Sequence, residues 1–177
     1  MIIRSALPAD APELSALGER LWRETYEGLI PAPDLSQHLA ETFGLAQQAA
    51  ELADPACTTL VIEKEGALLG YTLLRARGPE TEGNAAPFAR PTEIARFYLD
   101  RSLHGSGAAP ELMAAVLAHA ASAGHDGLWL QVWEQNPRAI RFYAKAGFRD
   151  VGETVYPVGA LVYQDRLLVH ALMARKL

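Results

Sequence analysis

The strongest constraint on this fold lies between Thr92 and Ala120, where a strand pattern runs into a glycine-bearing turn and then a helix pattern. Glu93-Ile94-Ala95-Arg96-Phe97-Tyr98-Leu99 is rich in β-branched and aromatic residues, which fit a pleated, half-buried surface. The turn is His104-Gly105-Ser106-Gly107-Ala108-Ala109. From Pro110 the chain reads as a helix, with Leu112, Met113, Val116, Leu117 and Ala120 on one apolar stripe. Small residues at 105, 107 and 109 permit a tight turn and a close approach of backbone to ligand. Free N–H groups at a helix start, with the positive end of the dipole behind them, make an anion site whose usual occupant is phosphate. A Gly-x-Gly turn also serves plain chain reversal, and the hexapeptide alone leaves both readings open. No glycine fills the sixth place of Gly-x-Gly-x-x-Gly and no second βαβ half accompanies the unit, which speaks against a Rossmann dinucleotide site. The missing Gly-Lys-Ser/Thr excludes a P-loop.

A chain of 177 residues is expected to form one domain, 1–177, large enough to bury roughly two-thirds of its unfolded surface. The net charge of −5 argues against broad phosphate neutralisation on nucleic acid and favours a cationic small substrate. Cys57 is alone, so there is no internal disulfide and a reducing compartment suits the chain. Met1 to Ser5 shows no signal-peptide hydrophobic region and no apolar run reaches membrane-spanning length, so the expected location is cytoplasmic, with no membrane partner. Histidines 38, 104, 119, 125 and 170 show no metal-ligand spacing, and no metal site is expected. No Gly-x-Ser-x-Gly elbow is present, and Ser106 reads as a turn residue.

In chain order, Met1 to Ser5 reads as a short strand, followed by a helix with Pro8 in its first turn and Leu14, Leu17 and Leu21 on one face. Pro31 and Pro33 break the chain, and Asp34 or Ser36 can cap a second helix running to about Leu52. Strand patterns over 58–64 and 67–76 flank Glu65-Gly66 and predict a hairpin; 77–91 reads as an exposed loop. Gly127 to Trp133 alternates as a strand, with Trp129 and Trp133 on one face expected to pack under a helix. Asn136-Pro137 starts a helix that Gly147 stops, and 148–156 and 161–172 are closing strands. Two successive strand–helix units imply locally parallel strands within a mixed sheet.

The turn at 104–109, followed by Asn136-Pro137-Arg138-Ala139-Ile140-Arg141-Phe142-Tyr143-Ala144-Lys145-Ala146-Gly147-Phe148, resembles the GNAT superfamily of acetyl-CoA-dependent N-acetyltransferases. The family's turn motif is Gln/Arg-x-x-Gly-x-Gly/Ala, and its later helix carries Asn-x-x-Ala-x-x-Phe-Tyr-x-x-x-Gly-Phe; the second string is intact here. Leu128-Trp129-Leu130-Gln131-Val132-Trp133-Glu134 and Gln164-Asp165 are similar to the bacterial polyamine (spermidine/spermine) acetyltransferase branch. The sequence departs from the family at His104, where Gln or Arg is usual, so that a charge there depends on pH, and at Pro110, which lacks an N–H.

The resemblance implies an α/β (α+β) fold: a mixed, mostly antiparallel sheet of about seven strands, about four flanking helices and a splayed central strand pair. It implies acetyl transfer from acetyl-CoA to a primary amine of a small molecule, a polyamine being one case, by direct attack in a ternary complex. His104, Gly105, Ser106, Gly107, Ala108 and Ala109 are the expected pyrophosphate anchor. Backbone amides at Phe97, Tyr98 and Leu99 align the cofactor arm and form an oxyanion hole. Asn136 is a cap, a cofactor contact or both. Tyr143 matches the family tyrosine and is the candidate acid to the departing thiolate, against a plain role as a buried aromatic. An aliphatic ammonium with a pKa of about 10 is only about a thousandth neutral at pH 7, so a base or water chain is needed. Glu93 is the base candidate and Glu134 its competitor. Trp22 and Tyr26 either wall the acceptor site or pack in the core. Alternative functions are acetylation of a protein N-terminus or lysine, and a non-catalytic acyl-CoA sensor; a homodimer is left open.

Overall fold

The two strand–helix units form the centre of a seven-stranded sheet in the order β1-β2-β3-β4-β5-β7-β6. In the computed structural model, residues 1–79 and 88–172 are described. The elements are β1 (Ile2–Ser5), a 3₁₀ turn, α1 (Ala11–Tyr26), α2 (Ala32–Phe43), α3 (Leu45–Ala53), β2 (Cys57–Lys64) and β3 (Ala67–Arg75). They continue with β4 (Pro91–Leu99), a second 3₁₀ turn, α4 (Ala108–Ser122), β5 (Gly127–Trp133), α5 (Pro137–Lys145), β6 (Arg149–Val158) and β7 (Leu161–Ala171). Among the named strands of the described residues, β4 and β5 alone run parallel and the other pairings are antiparallel. Of the expected 77–91 loop, residues 80–87 lie outside the described residues, and β4 already begins at Pro91.

One sequence expectation changes, and one feature of β4 is added. The single second helix divides into α2 and α3 at Gly44, whose backbone is extended (φ −53°, ψ 147°). A Cβ on Gly44 would collide with the Ala40 carbonyl, so this close approach requires glycine. Within β4, Leu73 pairs with Arg96 and Leu74 with Ile94, leaving Ala95 unpaired as a β-bulge that the strand-like composition of Glu93–Leu99 does not reveal. The extra residue shifts the faces, so that Ile94, Phe97 and Leu99 join the core under α4 while Tyr98 packs on the opposite side.

One core, built on Leu112, Met113, Val116 and Ala120 of α4, packs against Leu60, Ile62, Leu128, Leu130 and Leu168 of the sheet. On the other face Leu14, Leu17 and Leu21 of α1 cover Val61, Leu68 and Tyr71. Burying each of those leucines contributes about 2 kcal/mol. Around the bulge the interior is charged. Arg96, 5% exposed, donates from Nη1 to Glu51 Oε2 (2.6 Å) and from Nη2 to Glu51 Oε1 (2.9 Å) and the Thr42 carbonyl (2.8 Å). Its guanidinium lies 5.0 Å from the Phe43 ring centre. These contacts tie β4 to the α2–α3 junction that Gly44 creates. Burial opposes ionisation of Glu51, but the hydrogen bonds and charge of Arg96 outweigh it and hold the carboxyl below its ordinary range.

Candidate active site

The parallel ladder between β4 and β5 lasts only from Pro91, Thr92 and Glu93 to Gly127, Leu128 and Trp129. Beyond it, β4 pairs with β3 and β5 with β7, so the two strands part and leave the β4 edge over Ile94–Leu99 without a partner on its β5 side. A cleft of about 750 Å³ opens in this split. Phe97, Tyr98 and Leu99 line it, beside main chain that the ladder does not consume.

At one end the cleft reaches the turn before α4. Gly105 (φ 78°) and Gly107 (φ 88°) are both left-handed, a conformation that side chains disfavour, and each has open space where a Cβ would stand. The turn braces itself with alternate groups. Ser106 N and Oγ donate to the Leu103 carbonyl, Ala108 N donates to Ser106 Oγ (3.3 Å), and His104 N donates to the Arg101 carbonyl. The N–H groups of Gly105, Gly107 and Ala109 have no acceptor among the described residues, and these three residues line the cleft with His104 and Pro110. Ser106 and Ala108 do not line it; Ala108 is fully buried under α4. The six-residue anchor read from the sequence thus reduces to alternate amides. Burial and the nearby Arg138 and Arg101 push the His104 imidazole below its ordinary value, partly offset by its hydrogen bond to the Leu99 carbonyl. At neutral pH the fixed positive charge at this end is therefore carried by the arginines.

Asn136 caps α5, its Oδ1 accepting from Ala139 N (3.0 Å), and also lines the cleft. About two turns further Tyr143 is buried among Phe97, Phe142 and Phe148, with ring centres 6.2, 5.2 and 5.6 Å away. Its hydroxyl makes no hydrogen bond among the described residues, and the residue lines the cleft. Burial, and to a lesser degree the Tyr26 phenol, raises the Tyr143 phenol above its ordinary value. Glu93 stands where the strands part; its Oε2 accepts from Arg77 Nε (2.7 Å) and its Oε1 from Arg77 Nη2 (3.3 Å). Glu134 is exposed just past β5.

The opposite end is aromatic. Trp22 and Tyr26 of α1 have ring centres 4.3 Å apart, Tyr26 lies 5.9 Å from Trp133, and Trp133 lies 6.5 Å from Tyr163 of β7. Trp22 and Tyr26 therefore do wall the cleft. Trp133 joins them, meeting α1 through Tyr26, whereas its face-mate Trp129 packs with Leu167 and Val169 and donates to the Arg77 carbonyl (2.8 Å) rather than packing under a helix. Asp165 lines the same end and is 7% exposed. It has no hydrogen-bond or ion-pair partner among the described residues. Burial and the nearby Glu134 charge push its carboxyl up to about 6. Sequence reasoning used Asp165 only within a resemblance. The signal was there: on β7, Tyr163, Asp165, Leu167 and Val169 share one face, and an acid within an apolar period-two face is an anomaly.

A family model described as the acetyltransferase (GNAT) family matches residues 17–148, and this chain belongs to that family of acetyl-CoA-dependent N-acetyltransferases. An uncharacterised N-acetyltransferase of Mycobacterium tuberculosis is 33% identical over 164 residues, covering 93% of this chain and 99% of the relative. Among solved structures, the PaiA N-acetyltransferase of Thermoplasma acidophilum in complex with coenzyme A superposes with a TM-score of 0.75 at 18% identity, over 96% of this chain and 98% of that one. A ribosomal-protein-alanine N-acetyltransferase of Brucella melitensis gives 0.68 at 20% identity, over 97% and 100%. These two likenesses show the shared fold. Among the described residues no helix is long and apolar enough to cross a membrane.

Proposed function

We propose that the chain acetylates a primary amine of a small cationic molecule, a polyamine or a simpler alkylamine, by direct attack with both substrates bound. The observation that carries this reading is the two-ended cleft: free amides and arginines at one end, aromatic rings and a carboxylate at the other. The free N–H groups of Gly105, Gly107 and Ala109 fit a diphosphate, with Arg138 and His104 beside them. Acetyl-CoA, when bound, supplies an activated acyl carbon. The unpaired β4 edge at Phe97–Leu99 directs N–H groups toward the oxygen that gains charge on attack. Tyr143 gives its proton to the leaving sulfur. Glu93, the base candidate read from the sequence, stands at the fork with Arg77 as its counter-ion.

The test is free-thiol release from acetyl-CoA across polyamines, alkylamines, amino sugars, amino acids and peptide N-termini. Turnover of small amines supports the reading; turnover of peptides alone, or of nothing, overturns it.

Gly107→Ala tests the anchor. A left-handed alanine costs about 1–2 kcal/mol, and with open space around the Cβ the effect comes from the backbone. Calorimetry should show coenzyme A binding weakened roughly tenfold, which is about 1.4 kcal/mol. Unchanged affinity would remove the turn from the cofactor site.

A further inference from the structure

Two buried carboxylates line the cleft, and their surroundings differ. Glu93 gives both oxygens to Arg77. Asp165 is comparably buried, yet no cation or donor among the described residues reaches it. Its oxygens are not fully enclosed and open to the cleft, so a cation entering there can satisfy a carboxylate that no described group pairs. The surrounding rings supply the rest of a cation site. Tyr26 and Trp133 stand 5.9 Å apart, and Trp133 and Tyr163 6.5 Å apart, and all three aromatic residues line the cleft.

From this geometry, and resting on the acetyltransferase reading above, we infer that Asp165, rather than Glu93, holds the substrate's ammonium and takes its proton, and that the acceptor is a primary alkylammonium ion. Every charged or titratable neighbour fits that role. Tyr26 from α1 and Tyr156 from β6 are both raised chiefly by burial and also by the Asp165 charge, so neither competes to become an anion. His38 of α2 lies 6.0 Å from Tyr156, and burial keeps its imidazole below its ordinary value. Glu134 at the rim adds negative charge. The positive groups acting on Tyr156, Arg96 and Arg75, are both bound to Glu51. The strongest demand for a positive charge in this end of the cleft therefore comes from Asp165.

The step balances. The ammonium passes one proton to the Asp165 carboxylate, which releases it to solvent. The freed nitrogen lone pair forms the C–N bond as the C–S bond breaks, with its electron pair going to sulfur. Tyr143 protonates the sulfur and regains a proton from the nitrogen. One ammonium and one thioester give one amide, one thiol and one proton.

Asp165→Asn tests the inference against Glu93→Gln. With spermidine and n-butylamine, wild-type kcat/KM should rise with pH through about 6, as Asp165 ionises. Asp165→Asn should lose about 100-fold in kcat/KM and lose that acid limb, while Glu93→Gln keeps the limb. A limb that survives in Asp165→Asn and vanishes in Glu93→Gln overturns the assignment. Failure of the wild type to turn over any amine defeats the acetyltransferase reading instead. A second readout needs no turnover. The folded pKa of Asp165 is raised, so its ionisation destabilises the fold as pH rises from the ordinary carboxylate range through about 6. Ligand-free Asp165→Asn should therefore melt several degrees above wild type at pH 8 and with it at pH 4. Coincident melting at both pH values overturns the unpaired carboxylate on which the inference stands.

Discussion

Arg96→Ala should cost about 3–5 kcal/mol of unfolding free energy, because it removes one partner of a buried ion pair and leaves the other charged. Glu51 is 6% exposed and accepts from Arg96 twice, from Arg75 and from Gln47. Without Arg96 it keeps only the more exposed Arg75 as counter-ion. The Thr42 carbonyl and the Phe43 ring also lose the guanidinium. In a domain of this size such a loss lowers Tm by roughly 10 °C, and urea unfolding at neutral pH checks it. Arg96→Met combined with Glu51→Leu should recover much of the stability, since both buried charges are then gone and Arg75, the remaining partner of Glu51, is 28% exposed and within reach of water. The pH dependence has a definite sign. Glu51 is depressed in the folded state, so its contribution is present above the ordinary glutamate value of 4.5 and is lost as pH falls through the folded value. Glu51→Gln should remove that acid limb. A loss below 1 kcal/mol for Arg96→Ala would mean that water reaches the pair and that the bulge stands without it.

The sequence made the frame legible and hid what the frame encloses. Strand boundaries, the hairpin at Glu65-Gly66 and the order of the two central units follow from local periodicity, and these appear in β2 to β5 and α4 to α5. The break at Gly44 was missed because an isolated glycine inside an apolar helical pattern reads as tolerated. Its reason, the close approach to Ala40, is tertiary. The bulge at Ala95 was equally invisible: a run rich in β-branched and aromatic residues cannot show that one residue leaves the ladder. The turn at 104–109 could be read as an anion site or as plain chain reversal, and which of its amides remain free depends on Ser106 bracing the loop from within. At the acceptor end the residues come from α1, β5, β6 and β7, so no local pattern assembles them. Asp165 stands out only by breaking the apolar face of its own strand.

Tyr143→Phe should lower kcat by about 100-fold to 10,000-fold, the range for removing a positioned proton donor, while coenzyme A affinity stays within about twofold, a change under 0.5 kcal/mol. The prediction rests on what the hydroxyl lacks. Tyr143 lies in an aromatic nest with Phe97, Phe142 and Phe148, which fixes the ring, yet no group among the described residues accepts its proton. A core tyrosine ordinarily finds a partner for its hydroxyl. Here the residue lines the cleft that the parted strands open, and α5, started by the Asn136 cap, holds it there. Burial keeps the phenol protonated across the working pH range, the state a donor to a departing thiolate requires. Because the hydroxyl supports no internal hydrogen bond, the variant should melt within about 2 °C of wild type, the equivalent of less than 1 kcal/mol. The two readouts therefore separate: a structural tyrosine would move Tm and leave kcat, whereas an acid moves kcat and leaves Tm. If the chain only sensed acyl-CoA, neither would change, and thiol release by the variant equal to that of wild type would remove Tyr143 from the chemistry.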